Sequence, residues 1–409
     1  MPLVDMRDML QHAYRERYAV GAFDLVGLDF LEAILAGAEA TRAPVILSLA
    51  ESHFEHYDFE LAMAATVAAA RRATVPVAIH LDHGASPESA VRGINLGCNG
   101  VMVDASTRPF EDNVACTRAV VDMAHACGVP VEGELGYVAG VEGEDAEKHP
   151  GEVVYTAPAE AKAYVERTGV DFLAVSIGTV HGRLRGEPKL DFERLKQINE
   201  ALHLPLVIHG GTGLSEAQYR VLVENGVTKI NYYTALADAA GSSIRARAAQ
   251  DTRAGYTGLL RDVRGAIQVE VERCIKLWGA AGRADSLLKE CRPWQPVAHV
   301  IIYNVKGISD AEVEAMMARG RDVLAQIPGV LRVATGRAVA AGARYRFCWL
   351  VEFAHRAVID SYRDHPLHRQ FADQVFRPVA GDRVSVDFEH IETVPADFAA
   401  ERSGVSARA

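Results

Sequence analysis

Three histidines, His83, His181 and His209, each end a run of strand-like apolar sequence, and a glycine follows each of them. Ligands of parallel α/β proteins bind at the carboxyl ends of the strands, so we expect the three imidazoles to converge. Neutral imidazoles from separate strands suit Zn²⁺ with one open coordination position. A single histidine of this kind more often hydrogen bonds at a strand end, but the threefold recurrence favours a metal site.

A carboxylate stands directly before the first of these histidines. Successive side chains of a strand point to opposite faces, so Asp82 and His83 can share a site only where the strand ends. A carboxylate beside a divalent cation stays ionised and can accept or return a proton. The alternative is that Asp82 holds a histidine in one tautomer. Proton transfer is the preferred interpretation.

Three further carboxylates lie near predicted strand ends. Asp104 and Glu134 each follow or end a strand, where they could bind a second or transient metal ion, and a buried network that orients the histidines is equally favoured. Glu142 lies in the charged, glycine-containing loop 136–151. Loops at this face often close over substrate, so Glu142 is a candidate proton carrier, although spacing alone favours a solvated loop charge.

Two turns are candidates for binding a phosphate group. The glycine-rich stretch 209–215 leads into a helix, and 229–234 ends the next strand and opens the next helix. Backbone N–H groups there, with the hydroxyls of Thr212 and Thr234, could form the phosphate site that barrels build after their seventh and eighth strands. Two ordinary tight turns are the alternative, but their order along the chain favours phosphate.

The elements that must position these groups alternate regularly. Eight almost wholly apolar strands alternate with amphipathic helices, which predicts a parallel sheet covered on both faces. Eight such units predict a closed (β/α)8 TIM barrel, with a doubly wound open sheet as the alternative. The predicted strands are 18–23, 44–49, 76–83, 100–103, 130–135, 170–176, 204–209 and 227–231.

The chain divides after the barrel. We assign residues 1–288 to the barrel and 289–296 to a linker, because two prolines interrupt regular structure there. Residues 297–392 have the β-α-β-β-α-β order of a small α+β ferredoxin-like domain. Residues 393–409 are expected to be a flexible tail.

Composition narrows the function classes. The 409 residues are 49% hydrophobic, with no apolar run long enough to cross a membrane. A formal net charge of −11 argues against nucleic acid as the main partner, but backbone N–H groups can still bind an anionic substrate. The six cysteines are scattered, and the amino terminus does not read as a signal peptide, so we expect reduced thiols in the cytoplasm.

A set of short motifs recurs along residues 1–285: Gly21-Ala22-Phe23, His80-Leu81-Asp82-His83, Asp104-Ala105-Ser106, Glu132-Gly133-Glu134-Leu135-Gly136, Lys189-Leu190-Asp191-Phe192, His209-Gly210-Gly211-Thr212-Gly213, Lys229-Ile230-Asn231 and Gly279-Ala280-Ala281-Gly282-Arg283-Ala284. Through these motifs, residues 1–285 resemble the class II, metal-dependent ketose-bisphosphate aldolases, typified by fructose- and tagatose-bisphosphate aldolases.

The resemblance implies a role for each candidate. The three histidines would hold the catalytic Zn²⁺, and Asp82 would exchange a proton with the oxygen at the bond made or broken. Asp104 and Glu134 match positions that can hold a second divalent or a monovalent cation. Glu142 matches a loop glutamate implicated in proton transfer at the dihydroxyacetone phosphate carbon. Contacts to the sugar phosphate would come from Gly182, Arg185, Gly210, Gly211, Thr212, Asn231, Tyr232, Tyr233 and Thr234.

The implied activity is reversible cleavage of a ketose (bis)phosphate, by default fructose 1,6-bisphosphate, to dihydroxyacetone phosphate and an aldehyde. Asp24 and Ala50 stand where the family commonly has asparagine and serine, and both positions serve the aldehyde half. Tagatose 1,6-bisphosphate or a substrate of the inositol-catabolism type are alternatives. A non-catalytic sugar-phosphate sensor, or a barrel that only supports the appended domain, are alternatives of other classes.

Residues 297–390 resemble the stress-responsive dimeric α/β-barrel family through His299-Val300, Ile327-Pro328-Gly329-Val330 and His365-Pro366-Leu367-His368. That family pairs ferredoxin-like units through their sheets, so the resemblance implies a homo-oligomer, a dimer or a tetramer. His365 and His368 could be ligands, but a surface helix end is the favoured interpretation. A role in dimerisation or in limiting substrate access is favoured over a second chemistry.

Overall fold

The computed structural model describes residues 2–146, 154–183 and 188–389, and for residues 141 and 142 it describes the backbone alone. It divides the chain into two compact units, Met1–Trp294 and Gln295–Ala409. Each unit is described separately below.

The first unit contains a closed barrel of eight parallel strands. Its strands in chain order are β1 Val20–Asp24, β2 Val45–Ala50, β3 Val77–Gly84, β4 Gly100–Val103, β5 Val131–Leu135, β6 Gly140–Asp145, β7 Phe172–Val175, β8 His181–Arg183, β9 Leu206–Ile208 and β10 Val227–Tyr232. The barrel comprises all of these except β6 and β8. Because β1 pairs with β10, with Val20 opposite Lys229, the barrel prediction is confirmed and the open-sheet alternative is wrong.

The helices of this unit are α1 Met6–Glu16, α2 Leu28–Ala40, α3 Phe59–Arg72, α4 Pro87–Leu96, α5 Phe110–Ala126, α6 Pro158–Thr168, α7 Phe192–Leu202, α8 Glu216–Glu224, α9 Thr234–Gln250, α10 Tyr256–Leu259, α11 Val263–Leu277 and α12 Ala284–Glu290. Local sequence explains why several of these helices begin where they do. Asp5 and Ser86 accept backbone N–H bonds at the first turns of α1 and α4, and Ser215 forms a capping box with Gln218 before α8.

One pairing was not expected from the sequence. Strands β6 and β8 form a separate two-stranded parallel sheet, with Gly140 opposite His181. Residues 140–145, assigned to a loop on the basis of composition, therefore contain a strand. The partner strand lies about 40 residues further along the chain, and local composition carries no information about it.

The chain after α12 remains tied to the first unit as far as Trp294. Pro293 forms an isolated bridge with Val4, Arg292 bonds to Asp5 and Asp8, and Trp294 is buried. No helix in the described part of the chain is long and apolar enough to cross a membrane.

The second unit is an α+β sandwich, as predicted. It comprises β11 Val297–Val305, α13 Asp310–Leu324, β12 Val330–Arg337, β13 Phe347–Phe353, α14 Val358–Asp364, α15 Pro366–Phe371 and β14 Ala380–Glu389. The antiparallel strand order β12-β13-β11-β14 is that of a ferredoxin-like fold. One face of the sheet packs on the helices through aromatic contacts, such as those of Trp349 with Phe371 and of Tyr303 with Phe376.

Candidate active site

The structure brings the three predicted metal histidines together at the mouth of the barrel. The ring centroids of His83 and His209 are 4.6 Å apart, those of His83 and His181 5.3 Å, and those of His181 and His209 5.9 Å. One ring nitrogen from each can be chosen so that all three lie within 4.8 Å of one another. That spacing lets three imidazoles contact one ion.

The three histidines reach this point by different routes. His83 is the penultimate residue of β3 and His209 directly follows β9, as predicted for strand-end residues. His181 does not end a barrel strand, which corrects the sequence-based interpretation. The sixth barrel strand, β7, ends at Val175, and His181 begins β8 of the small outer sheet.

A backbone irregularity lets Asp82 and His83 face the same space. The pairing of β3 with β4 shifts between Leu81 and Gly84, and His83 has a left-handed φ of 47°. A bulge of this kind breaks the alternation of side chains along a strand. The Nε2 atom of His83 consequently lies 4.0 Å from Oδ2 of Asp82. Adjacent residues therefore share one site.

Two of the histidines are held by carboxylates through one ring nitrogen and leave the other nitrogen unengaged. His83 donates from Nδ1 to Asp104 at 2.8 Å, and His209 donates from Nε2 to Glu132 at 3.0 Å. His83 Nε2 and His209 Nδ1 are buried and make no hydrogen bond within the described residues. Buried nitrogens without hydrogen bonds, with carboxylates on the opposite nitrogens, are what a divalent metal site requires. The residues present fit a zinc ion.

The remaining predicted cation ligands border the same space. A second group of candidate ligands combines His83 with Asp104 and Glu134, again with atoms within 4.8 Å. Asp104 is engaged by His83 and by Ser106, whereas Oε2 of Glu134 makes no hydrogen bond and lies 3.2 Å from His209 Nδ1. Asp104 therefore orients His83, and Glu134 remains able to bind a cation.

The electrostatics of the site favour positive charge. Burial opposes a charged imidazole at His209, but the neighbouring Glu134 carboxylate outweighs it and raises the pKa of His209 to about 9. Burial likewise opposes charge on His83, yet Asp82 and Asp104 raise its pKa well above its usual value. A cation that binds these histidines must displace protons, so the site is built to hold either protons or a metal ion.

A buried lysine, which the sequence analysis did not identify as functional, links Asp82 to Glu132, the carboxylate that holds His209. Lys229 is fully buried, and its Nζ lies 2.6 Å from Oδ1 of Asn231 and 2.8 Å from Oε2 of Glu132. Asn231 Nδ2 in turn lies 2.9 Å from both carboxylate oxygens of Asp82. The available signal was a lysine in an apolar strand, two residues before Asn231 and therefore on the same face.

The charges of this network determine the state of Asp82. Burial alone would raise the pKa of Asp82, but the positive charges of His83 and Lys229 hold it well below its usual range. Asp82 is therefore a carboxylate. The neighbouring His80 is fully buried, and burial together with Lys229 lowers its pKa to about 3, so it is a neutral imidazole.

The glycine-rich turn after β9 approaches the backbone of a neighbouring loop. Gly210 has a φ of 64°, and a Cβ atom there would lie 2.2 Å from the carbonyl oxygen of Val180, so only glycine fits. Gly182 also has a positive φ, of 85°. A cavity of about 140 Å³ opens beside the turn and is lined by Thr179, Val180, Arg183, Pro188, Gly210, Thr212, Gly213 and Leu214.

The residues at the end of β10 and directly after it do not all face this cavity. Thr234 accepts a hydrogen bond from the backbone N–H of Gly143 at 3.1 Å, and the Tyr233 ring packs on His53 at 4.4 Å. Tyr232 lies on the opposite face of the strand from Asn231. Its ring packs on Trp278, and its hydroxyl donates to Glu270 at 2.7 Å. Strand alternation therefore directs the Tyr232 side chain away from the predicted substrate site.

Two predicted residues lie outside the description. Arg185 is not among the described residues, and neither is the side chain of Glu142. The two altered aldehyde-half positions are described: Asp24 pairs in register with Ser48, and Ala50 pairs with Asp82.

Comparison with known proteins gives a consistent result for both units. The model of the family "Fructose-bisphosphate aldolase class-II" matches residues 4–283, and that of the "Stress responsive A/B Barrel Domain" matches residues 297–390. A fructose-bisphosphate aldolase of Geobacillus stearothermophilus is 40% identical over 288 residues, which cover 69% of this chain and 99% of that protein. One of Staphylococcus aureus (strain Mu50) is 39% identical over 291 residues, covering 69% and 100%.

Solved structures of aldolases are also similar to this chain. The YdjI aldolase from Escherichia coli K12 is similar with a TM-score of 0.62 and 35% sequence identity, over 69% of this chain and 99% of that one. With a family match over most of the chain and nearly complete coverage of these relatives, the chain belongs to the class II fructose-bisphosphate aldolase family and carries a second domain similar to the stress-responsive A/B barrel.

Proposed function

We propose that the protein is a zinc-dependent aldolase that reversibly cleaves a ketose phosphate to dihydroxyacetone phosphate and an aldehyde, with fructose 1,6-bisphosphate as the default substrate. The observation that carries the proposal is the convergence of His83, His181 and His209 beside the ionised, hydrogen-bonded carboxylate of Asp82. A sensor needs no proton carrier at its metal site, so this arrangement favours catalysis.

In this proposal the three histidines would hold zinc, and the bound ion would supply Lewis-acid polarisation of the substrate ketone. Asp82 takes the proton from the hydroxyl at the bond that breaks, and returns it in the condensation direction. Asn231 holds both oxygens of Asp82, so the carboxylate is oriented before the substrate arrives. Glu142 is proposed to move the proton at the dihydroxyacetone phosphate carbon.

Substrate phosphate is proposed to bind at the turn after β9. Gly210 and Gly211 bring the backbone close, and Thr212 lines the neighbouring cavity. Gly182, Arg185, Asn231, Tyr233 and Thr234 are the other proposed contacts, and Asp104 with Glu134 form a proposed second cation position. For Tyr232 the proposal is limited to its backbone, since the side chain lies on the other face of β10.

A ketose phosphate without a second phosphate group is the alternative substrate. Asp24 is buried and pairs with Ser48, which in turn pairs with His80 of β3. Alternation places Asp24 on the same inward face of the barrel as Asn231, through the pairing of Ala22 with Asn231. A buried carboxylate on that wall would repel a phosphate on the aldehyde half.

We also propose that copies of the chain associate through the second unit. The sheet face opposite the helices is apolar, with Val300 and Ile302 of β11 in register with Val386 and Val384 of β14. Val386 and Val384 are 42% and 41% exposed, and Phe388 on the same face is 48% exposed. A contiguous apolar sheet face of this kind is typical of an interface. A second copy is its proposed occupant.

The decisive experiment follows cleavage of fructose 1,6-bisphosphate by the zinc-loaded protein, with and without a chelator. We expect chelator-sensitive release of dihydroxyacetone phosphate that the isosteric Asp82→Asn variant lacks. If the protein turns over nothing but binds dihydroxyacetone phosphate tightly, another aldehyde partner is required, and tagatose 1,6-bisphosphate and monophosphorylated ketoses are tested next. Absence of both turnover and binding would refute the proposal and leave the sensor or scaffold interpretation.

A further inference from the structure

The small outer sheet joins two groups that the proposed reaction needs. Strand β8 begins with the metal-site residue His181, and β6 contains Glu142, the proposed proton carrier at the dihydroxyacetone phosphate carbon. Gly140 lies opposite His181, and the backbone N–H of His181 donates to the carbonyl oxygen of Ala139 at 2.7 Å. The backbone position of Glu142 therefore depends on how β6 is held against β8.

Backbone pairing by itself holds this sheet weakly. It has only two strands, and the described part of the chain adds no third strand to it. Strand β8 is three residues long, and the pairing shifts between Gly140 and Asp145. An isolated pair of strands is at best marginally stable in water. Contacts from outside the sheet must therefore fix the position of β6.

One arginine supplies such contacts. Arg183, the last residue of β8, donates from Nε to Oδ2 and Oδ1 of Asp238 at 2.8 and 3.0 Å, and from Nη2 to Oδ1. Its Nη1 lies 3.5 Å from Oδ1 of Asp145, the residue opposite it in β6. Asp238 belongs to α9. A single planar guanidinium thus connects β8, β6 and α9 with the fixed geometry of a two-pronged pair.

A second contact ties the same strand to the same helix. The backbone N–H of Gly143 donates to the hydroxyl of Thr234, the first residue of α9. Glu142 therefore lies between Gly140, which pairs with His181, and two residues that contact α9 directly or through Arg183. Because α9 follows directly after β10, these contacts attach β6 to the barrel.

The charges around Arg183 indicate a structural partner and not a phosphate ligand. Its side chain borders the cavity beside the glycine-rich turn, but its Nε and Nη2 are engaged by Asp238, and two carboxylates face one positive charge. The Arg183 and Asp238 side chains are 41% and 39% exposed. Solvent screens such a pair, so its removal should change the overall stability little.

We propose that Arg183 is a positioning residue, which holds β6 against β8 and α9 through Asp145 and Asp238 and thereby holds Glu142 in place for proton transfer. This inference rests on the proposed role of Glu142. Arg183 itself moves no proton. A displacement of about 1 Å of a reacting group can lower a rate by roughly 10²-fold, so its loss should affect proton transfer more than binding.

The first test measures the position of the strand without any activity. Amide hydrogen exchange of the metal-free full chain is followed by mass spectrometry of a peptide that spans residues 140–145. We expect about tenfold faster exchange there in Arg183→Met, because β6 opens more often. The matched control is Arg167→Met, which removes an arginine of similar exposure, 44%, that is bound to both oxygens of Glu111. Unchanged exchange in Arg183→Met, or equal acceleration in Arg167→Met, would overturn the proposal.

The second test measures proton transfer. Zinc-loaded full chain is mixed with dihydroxyacetone phosphate in D₂O without an aldehyde, and proton NMR follows the loss of the carbon-bound hydrogen. We expect roughly 10²-fold slower exchange in Arg183→Met, with nearly unchanged affinity for dihydroxyacetone phosphate. Arg183→Lys keeps the charge and loses the fork, so it should recover little. Asp238→Asn should also slow the exchange, since it releases Arg183.

The outcomes separate this inference from the proposed function. No exchange by the unaltered chain would refute the role of Glu142 and the inference together. Exchange by the unaltered chain that is equally fast in Arg183→Met would overturn the positioning role alone. A loss of affinity for dihydroxyacetone phosphate as large as the loss of rate would show that Arg183 binds the phosphate, which also contradicts the inference.

Discussion

The two polar clusters of this protein differ in how far they are removed from water. In the barrel, Lys229, Glu132, His209 and Asp82 are all buried, and each charge is compensated by a direct neighbour. In the second unit, Asp387 is 40% exposed and its hydrogen-bond partner His299 19%. Buried charges are strongly coupled, whereas exposed ones are screened by solvent. Substitutions should therefore have large effects in the first cluster and small ones in the second.

The largest effect is expected for Lys229→Met. It removes the ammonium that holds Asn231 and Glu132 and leaves the buried Glu132 carboxylate without its lysine partner, at a cost of about 3–5 kcal/mol in the free energy of unfolding. Aldolase turnover should fall by roughly 10²-fold or more, because Asp82 loses its orientation. Chemical denaturation and steady-state kinetics measure the two effects.

The double variant Lys229→Met with Glu132→Gln sharpens this prediction. Both charges are then removed together, so much of the lost stability should return. Turnover should remain low, because Asn231 is still unsupported. If the double variant regains activity along with stability, Lys229 only neutralises Glu132 and does not position Asp82.

The next largest effect is expected on zinc affinity, which should depend on pH. The pKa of His209 is raised to about 9 and that of His83 is raised well above its usual value, so zinc must displace protons from both imidazoles at neutral pH. As the pH is lowered, zinc affinity should therefore fall by about tenfold per pH unit for each proton displaced. Competition with a chromogenic chelator at several pH values measures this.

Metal-free protein provides the control for that prediction. Its raised histidine pKa values contribute stability that is complete below the unfolded value near 6.5 and is lost as pH rises through about 9. Unfolding of the metal-free protein should therefore become easier over this range. A zinc affinity independent of pH would contradict the proton-loaded state of the site.

Tyr232→Phe should have a smaller effect. The hydroxyl it removes donates to Glu270 and accepts from Arg273, so a loss of about 1 kcal/mol in unfolding free energy is expected. The KM for the sugar phosphate should not change, because this side chain faces Trp278 and not the mouth of the barrel. A large rise in KM would show that the phenol contributes to binding.

The smallest effect on stability is expected for Asp387→Asn. A hydrogen bond to a carboxylate that is 40% exposed contributes less than about 1 kcal/mol. Loss of several kcal/mol in unfolding free energy would contradict the contrast between the two clusters.

Much of the architecture was predictable because it depends on local pattern. Alternating apolar strands and amphipathic helices indicated eight units and a closed barrel, and the changed element order after Trp294 indicated a second fold. His83 and His209, at or directly after the ends of apolar strands, were recognisable from their neighbours alone. The motifs also indicated the family that the comparisons identified.

What the sequence by itself determined is the set of elements and the residues available at their ends, because backbone propensity and side-chain periodicity are local properties. Only the tertiary structure decided which groups meet. The pairing of β6 with β8 places His181, the bulge at His83 turns two adjacent side chains to one site, and strand register joins Lys229 to Asp82 through Asn231. These contacts connect residues far apart in the chain, and their register depends on how the whole barrel closes.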